Sequence, residues 1–299
     1  MKAKQIIDQA IQSKRNNLTE YESKLLLKCY GIPVVEEAAV TSVEEAIAKI
    51  QSFKSPVVLK ALGARLTHKT EMGLVKIGLN TPEEISSAAA EMQKNAGRDL
   101  EGFLVQPLMK GKREFVAGMF NDDQFGPVVM FGLGGVFTEA LEDIVFRVTP
   151  IDKREALSMI KSIRSQKLLN SFRGEAAVNL DSLADALVGL SKIATENPEI
   201  SEIDINPIIA GPDGRIAAVD ALVIFGKQKI SHAVKSEIDP SAIGRIFYPR
   251  TIAFVGASAN FGKWGYNLFT CLTKGGYQGS IYLVNAKEKE IAGHPVYKT

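Results

Sequence analysis

The chain has 299 residues, with 36 basic against 34 acidic side chains, 45% apolar residues and 23% charged ones. That is the composition of a soluble globular protein of about two domains, and the near balance of charge gives no ground for a nucleic-acid or membrane-surface partner. Cys29 and Cys271 are far apart and form no metal motif, which points to a reducing cytoplasm rather than a disulfide framework, and no run approaches the ~18 apolar residues of a membrane span.

Residues 3–15 have the periodicity of a short amphipathic helix, with Ile6, Ile7, Ala10 and Ile11 on one side. Thr19 followed by Glu22 is a capping-box signal for a second helix, which Gly31 and Pro33 stop. Alternation follows: strands at 34–39, 57–60, 74–78 and 102–107, and helices at 43–53 and 82–95. Two antiparallel strands, 114–120 and 127–131, lead into the loop Gly132-Leu-Gly-Gly135. Helices are expected at 153–165 and 181–195. Strands at 200–209 and 216–223 flank Gly211-Pro-Asp-Gly214, a strong turn signal. Residues 226–240 are polar and aperiodic and read as a linker between a first domain, 1–225 with a helical lead-in at 1–16, and a second at 241–299. The second domain opens with a strand at 252–255, a glycine-rich loop entering a helix, and a strand at 281–284.

Six features suit phosphate chemistry, although each taken singly has an ordinary reading. Lys60 ends an apolar strand, where an ammonium can neutralise phosphate as a point charge. Its bland alternative is a surface lysine. His68 and Lys69 follow in a loop closed by Gly73. An imidazole can carry a phosphoryl group, and a glycine admits close backbone approach. A surface histidine and a turn glycine are the alternatives. Gln106 at a strand end can meet a purine edge and Glu114 a ribose. Asn206 and Asp220, on strands joined by the tight turn, can offer two oxygens to one Mg2+. Gly134 and Gly135 can form an anion nest. Gly256, Ser258, Gly262 and Gly265 lie between a strand and a helix, the place where a dinucleotide-type fold binds phosphate. The second strand there ends at Asn285 rather than at an acidic residue, which favours CoA or a nucleotide phosphate over NAD.

In chain order, Leu18-Thr-Glu-Tyr-Glu22, Tyr30-Gly-Ile-Pro33, His68-Lys-Thr70, Gly132-Leu-Gly-Gly135 and Glu202-Ile-Asp-Ile-Asn-Pro207 resemble the NDP-forming acyl-CoA synthetases, relatives of succinyl-CoA synthetase. The resemblance implies an α/β chain: an α+β ATP-grasp fold followed by the opening part of a Rossmann-like CoA-binding domain, truncated at about two strands, whose open sheet edge would be poorly stable alone. It implies an acid–thiol ligase that uses ATP or ADP, Mg2+ and CoA to interconvert a small carboxylic acid and its CoA thioester through an acyl phosphate and a phosphohistidine. By motif, Lys60, Thr67, Lys69 and Gly73 would hold phosphates, Gln106 and Glu114 the nucleoside, and Asn206 and Asp220 the metal. His68 would be a phosphoryl carrier and Asp204 would orient an imidazole. His294 does not match the principal phosphohistidine motif of that family. Full turnover is therefore expected to need further CoA-binding and ligase domains, in cis or in trans. Another ATP-grasp carboxylate ligase and a nucleotide- or acyl-CoA-sensing module are the competing readings.

Overall fold

The computed structural model describes residues 2–53, 55–63, 66, 69–135, 143–171, 173–226 and 240–298. The chain divides into two compact units, Met1–Ser231 and His232–Thr299. None of the described helices is long and apolar enough to cross a membrane.

The first unit holds two antiparallel sheets. The smaller has the order β1-β4-β2-β3, formed by β1 (Ala38–Val40), β2 (Val57–Leu62), β3 (Val75–Leu79) and β4 (Gly102–Pro107). Helices α3 (Val43–Phe53) and α4 (Pro82–Ala96) pack on one of its faces, over Leu59, Ala61, Phe103 and Val105. The larger sheet has the order β10-β8-β5-β6-β7, with β9 beside β8. Its strands are β5 (Arg113–Asp122), β6 (Gly126–Leu133), β7 (Ile144–Val148), β8 (Ile200–Ala210), β9 (Ile216–Ala218) and β10 (Leu222–Phe225). Alternate residues of these strands, such as Phe115, Ala117, Met119, Ile203 and Ile205, form one core. The apolar stripes of α1 (Ala3–Gln12), α2 (Glu20–Cys29), α5 (Lys153–Ile160) and α6 (Leu180–Glu196) complete it.

Three expected elements differ. Residues 34–39 are not one strand, because the segment is shared between the two sheets. Val35 N–H donates to Ala218 O (3.0 Å) and Ala218 N–H to Pro33 O (2.8 Å), whereas Ala38 to Val40 pair with β4. The strand expected at 216–223 breaks between β9 and β10. Val219 N–H donates to Pro207 O (3.0 Å), but Pro207 has no N–H to give in return, so the Val219 carbonyl is left for other donors. The helix expected at 153–165 stops at Ile160, and the Asp143 carboxylate takes the N–H groups of Arg164 (2.6 Å) and Ser165 (2.7 Å).

The second unit corrects the expectation of about two strands. Its sheet has four, in the order β11-β12-β14-β13: β11 (Thr251–Val255), β12 (Ser280–Val284), β13 (Glu290–Ile291) and β14 (His294–Tyr297). The first three in that order run parallel. The last two strands are short, and they are joined through Ala292 and Gly293, both at positive φ. The unit also holds helices α7 (Pro240–Phe247) and α8 (Trp264–Lys274), and Ala257, Phe269 of α8, Leu283 and Ile291 form its core. Residues 227–239, most of the expected linker, lie outside the described residues.

Candidate functional site

The site is assembled around Glu20. Thr19 caps α2: its hydroxyl accepts from Glu22 N–H (3.3 Å) and the Glu22 carboxylate accepts from Thr19 N–H (2.9 Å). This fixes the first turn, and the 3.6-residue repeat then stacks Glu20 and Lys24 on the inward side with Leu27, all three buried. Lys60 and Gln106 approach from the smaller sheet. The register pairs Lys60 with Leu104 and Val58 with Gln106, so both side chains leave the face opposite α3 and α4.

Three ammonium groups converge on the Glu20 carboxylate. Oε1 lies 2.6 Å from Lys60 Nζ and 2.9 Å from Lys24 Nζ, and Oε2 lies 2.8 Å from Lys69 Nζ. Lys60 also donates to Val219 O (3.2 Å) and Asp220 Oδ2 (3.1 Å). Lys24 donates to Gln106 Oε1 (3.0 Å) and Val219 O (3.1 Å) and is ion-paired with Glu37. The carbonyl freed by the strand break is thus shared by two lysines. Two ammoniums on the order of 5 Å apart repel by about 3 kcal/mol at an effective dielectric of 20. The shared carboxylate is what lets them stand together.

Burial by itself would raise the Glu20 carboxyl, but Lys60, Lys24 and Lys69 overcome it and hold the group down at about 2. Burial lowers and Glu20 and Asp220 raise the Lys60 ammonium, with a net upward shift that keeps it charged. Glu37 goes the other way. Burial pushes it up to about 7, because Lys24 is already shared with Glu20 and only partly compensates.

A second group of oxygens lies on the adjoining strands. The pairs Ile208 with Ala218 and Asp204 with Leu222 bracket Asn206 and Asp220, which therefore stand opposite each other. Asn206 is exposed and the Asp220 side chain is 42% exposed. The Asp204 carboxyl is raised by burial and then by the charges of Glu202 and Asp220. An amide oxygen, a carboxylate and surplus negative charge fit a hard divalent cation that keeps water and phosphate ligands. Among the described residues, no cluster of three or more His, Cys, Asp or Glu side chains forms a closed metal cage.

Glu114 and the glycine loop also meet. Gly134 N–H donates to Glu114 O (2.8 Å), and a Cβ on Gly135 would fall 3.0 Å from Glu114 Oε2. Gly73, at φ +68°, closes the turn after Lys69, and its near neighbours are Asn95 and Glu91 of α4 rather than the lysines. Thr67 and His68 lie outside the described residues, as do residues 136–142 of the glycine loop.

In the second unit, Gly256 and Gly262 take positive φ in the loop from β11 to α8. A Cβ on Gly265 would lie 2.3 Å from Gly256 O, so the helix begins against the strand end. Ser258 Oγ accepts from Asn260 N–H (3.2 Å), and Asn285 donates to Ala257 O (2.7 Å). The loop stands at the carboxyl ends of parallel strands and at a helix N-terminus, the usual phosphate position of open α/β sheets. Glu20, Lys24 and Glu37 were not singled out as site residues from sequence. The sequence signal is no more than an i,i+4 Glu–Lys pair in line with the apolar Leu27.

Two sheets with a lysine cluster between them, and carboxylate and amide oxygens on the facing strands, have the chemistry to take a phosphate and a hard cation. Comparison with known proteins gives the family. The family model described as an ATP-grasp domain matches residues 9–225, and that of a CoA binding domain matches 250–299. The chain is 43% identical over 229 residues to the beta subunit of acetate–CoA ligase [ADP-forming] I of Pyrococcus furiosus, covering 75% of this chain and 98% of that one. It is 31% identical over 274 residues to acetate–CoA ligase [ADP-forming] II of Archaeoglobus fulgidus, covering 92% of this chain and 39% of that one. The solved structure of dinucleotide forming acetyl-coenzyme A synthetase 1 of Ca. Korarchaeum cryptofilum, in complex with coenzyme A, Ca-AMPCP and HgCl+, superposes with a TM-score of 0.71 at 40% identity, covering 75% of this chain and all of that one. The chain belongs to the ADP-forming acyl-CoA ligase family and carries its ATP-grasp domain followed by its CoA-binding domain.

Proposed function

We propose that the first unit binds ADP or ATP with Mg2+ as the nucleotide half of the reaction acid + CoA + ATP = acyl-CoA + ADP + phosphate, acting on a small carboxylic acid. The observation that carries this reading is the convergence of Lys24, Lys60 and Lys69 on one buried carboxylate beside Asp220. Lys60 and Lys69 present positive charge to the phosphates, and Gln106 and Glu114 flank the nucleoside. Asn206 and Asp220 hold the cation, which when bound neutralises phosphate oxygens. His68, next to Lys69 in the sequence and outside the described residues, is read as a second phosphoryl carrier that hands the group towards ADP, its donor lying in the further ligase domains. Asp204 is the carboxyl that orients the imidazole. The second unit offers the loop 256–265 to a CoA phosphate.

Complete turnover joins this chain's domains to further CoA-binding and ligase domains. The name of the Pyrococcus relative, a beta subunit, and the greater length of the Archaeoglobus relative support that division. Calorimetric titration of the full chain with ADP and MgCl2 tests the nucleotide reading. Saturable, Mg2+-dependent binding is expected, and absence of binding at millimolar ADP overturns it.

A further inference from the structure

We infer that Glu20 is a positioning residue: it sets where the phosphate-binding lysines stand and touches no ligand itself. The inference rests on the nucleotide reading above and extends it to a residue that would repel phosphate if it met one.

Glu20 occupies the first position of a capped helix, so its carboxylate is placed by the backbone rather than by a mobile loop. The side chain is 3% exposed. Water therefore does not compete for its oxygens, and its negative charge would repel a phosphate. An ionised carboxylate offers about four acceptor sites, and three are taken by ammoniums from three different parts of the fold. Lys24 comes from α2, Lys60 from β2 and Lys69 from the loop after β2.

The two carboxylates on Lys60 differ in kind. Glu20 is nearer, at 2.6 Å, and buried, whereas Asp220 is at 3.1 Å and 42% exposed. The outer contact can be exchanged for a ligand and the inner one stays. Lys69 is the outermost of the three ammoniums, with 16% of its side chain exposed, and Glu20 is its ion-pair partner among the described residues. Glu20 therefore ties the loop that carries Lys69 to the strand that carries Lys60. It holds two phosphate-facing charges at a fixed spacing before ligand arrives, which lessens the ordering that binding must impose.

A double-mutant cycle in the full chain tests this, with Mg-ADP as the probe and the dissociation constant and melting temperature of each variant measured together. Glu20→Gln keeps the shape and removes the charge; Lys69→Met removes the tethered ammonium. Each is expected to weaken Mg-ADP about tenfold. The double variant is expected to be weaker than either single one by no more than about threefold, because both break the same arrangement. If Glu20→Gln does not fold, Glu20→Asp carries the same cycle, since it keeps the charge and withdraws the carboxylate by one methylene. A double variant weakened about a hundredfold, the product of independent effects, overturns the inference while leaving the nucleotide reading intact. So does an unchanged affinity in the Glu20 variant. A wild-type chain that binds no Mg-ADP overturns both.

Discussion

The Lys60 ammonium stands 3.1 Å from the Asp220 carboxylate, a contact that ties the smaller sheet to the break between β9 and β10. Asp220 thus faces both a lysine and, through Asn206 opposite it, the position proposed for the cation. Asp220→Asn separates the two roles by sign. Without Mg2+, removing a negative charge near the phosphates should leave ADP affinity unchanged or tighten it. With Mg2+, the loss of a metal ligand should weaken ADP about tenfold, within the usual range for lost charge-assisted contacts. Titrations with MgCl2 and with EDTA read both limbs. Weakening of equal size in both would count against Asp220 as a metal ligand.

Glu37 gives the fold a dependence on pH that opposes that of Glu20. The Glu37 carboxyl rises from an ordinary value of 4.5 to about 7. Between those values the folded state keeps a proton that the unfolded chain releases, so stability falls as pH rises, and the cost is fully present above about 7. The shift corresponds to at most about 3 kcal/mol. Glu20, lowered to about 2, contributes stability that is complete above 4.5 and lost as pH falls towards 2. Glu37→Gln should therefore be more stable than the parent at pH 8, by on the order of 1–3 kcal/mol, and equal to it at pH 4.5. Urea unfolding at several pH values measures the difference, and a parent-minus-variant curve flat from pH 4.5 to 8 would rule out the buried neutral carboxyl.

These charges also mark where the sequence stops being legible. Lys60 and Lys69 could be picked out because an apolar strand and a glycine-closed loop frame them. The capping box of Thr19 and Glu22, the turn at 211–214 and the strand 102–107 are local signals, and each has its place in the fold. Glu20 and Lys24 look like any solvent-facing i,i+4 pair. What buries them is long-range, since Gln106 and Val219 are 82 and 195 residues from Lys24. The break at Val219 is similarly hidden, for it follows from Pro207 on the neighbouring strand. In the second unit, β13 and β14 are too short for a periodicity of two to register.

Arg113 anchors the start of β5, the strand that carries Glu114. Its guanidinium is buried and donates to Glu175 Oε2 (3.0 Å), Leu168 O (3.3 Å), Asn170 O (3.2 Å), Ala176 O (2.7 Å) and Gly211 O (3.4 Å). A lysine keeps the charge but not the planar fork, and leaves several carbonyls unpaired. Arg113→Lys should cost about 3 kcal/mol, a fall in Tm on the order of 10 °C. Thermal unfolding followed by circular dichroism checks this. A change under about 2 °C would mean that the carbonyl cage is dispensable.

Gly134 tests the nucleoside side of the site. Its N–H is bonded to Glu114 O, and a Cβ there would lie 2.9 Å from Phe115 C and 3.0 Å from Glu114 C. Those are backbone atoms of β5, so alanine must displace the strand at the residue that carries the proposed ribose contact. Gly126, at φ +76° at the start of β6, has nothing within 4 Å of its Cβ position. Gly126→Ala should cost only about 1 kcal/mol of backbone strain and leave binding unchanged. Gly134→Ala should weaken ADP about tenfold while leaving pyrophosphate affinity near that of the parent, because the lysine cluster is untouched and the nucleoside contact is not. Competition titrations of both ligands against both variants separate the two effects. Equal loss of ADP and pyrophosphate in Gly134→Ala would show that the substitution spreads beyond Glu114, and that the glycine serves the fold of the larger sheet rather than the nucleoside.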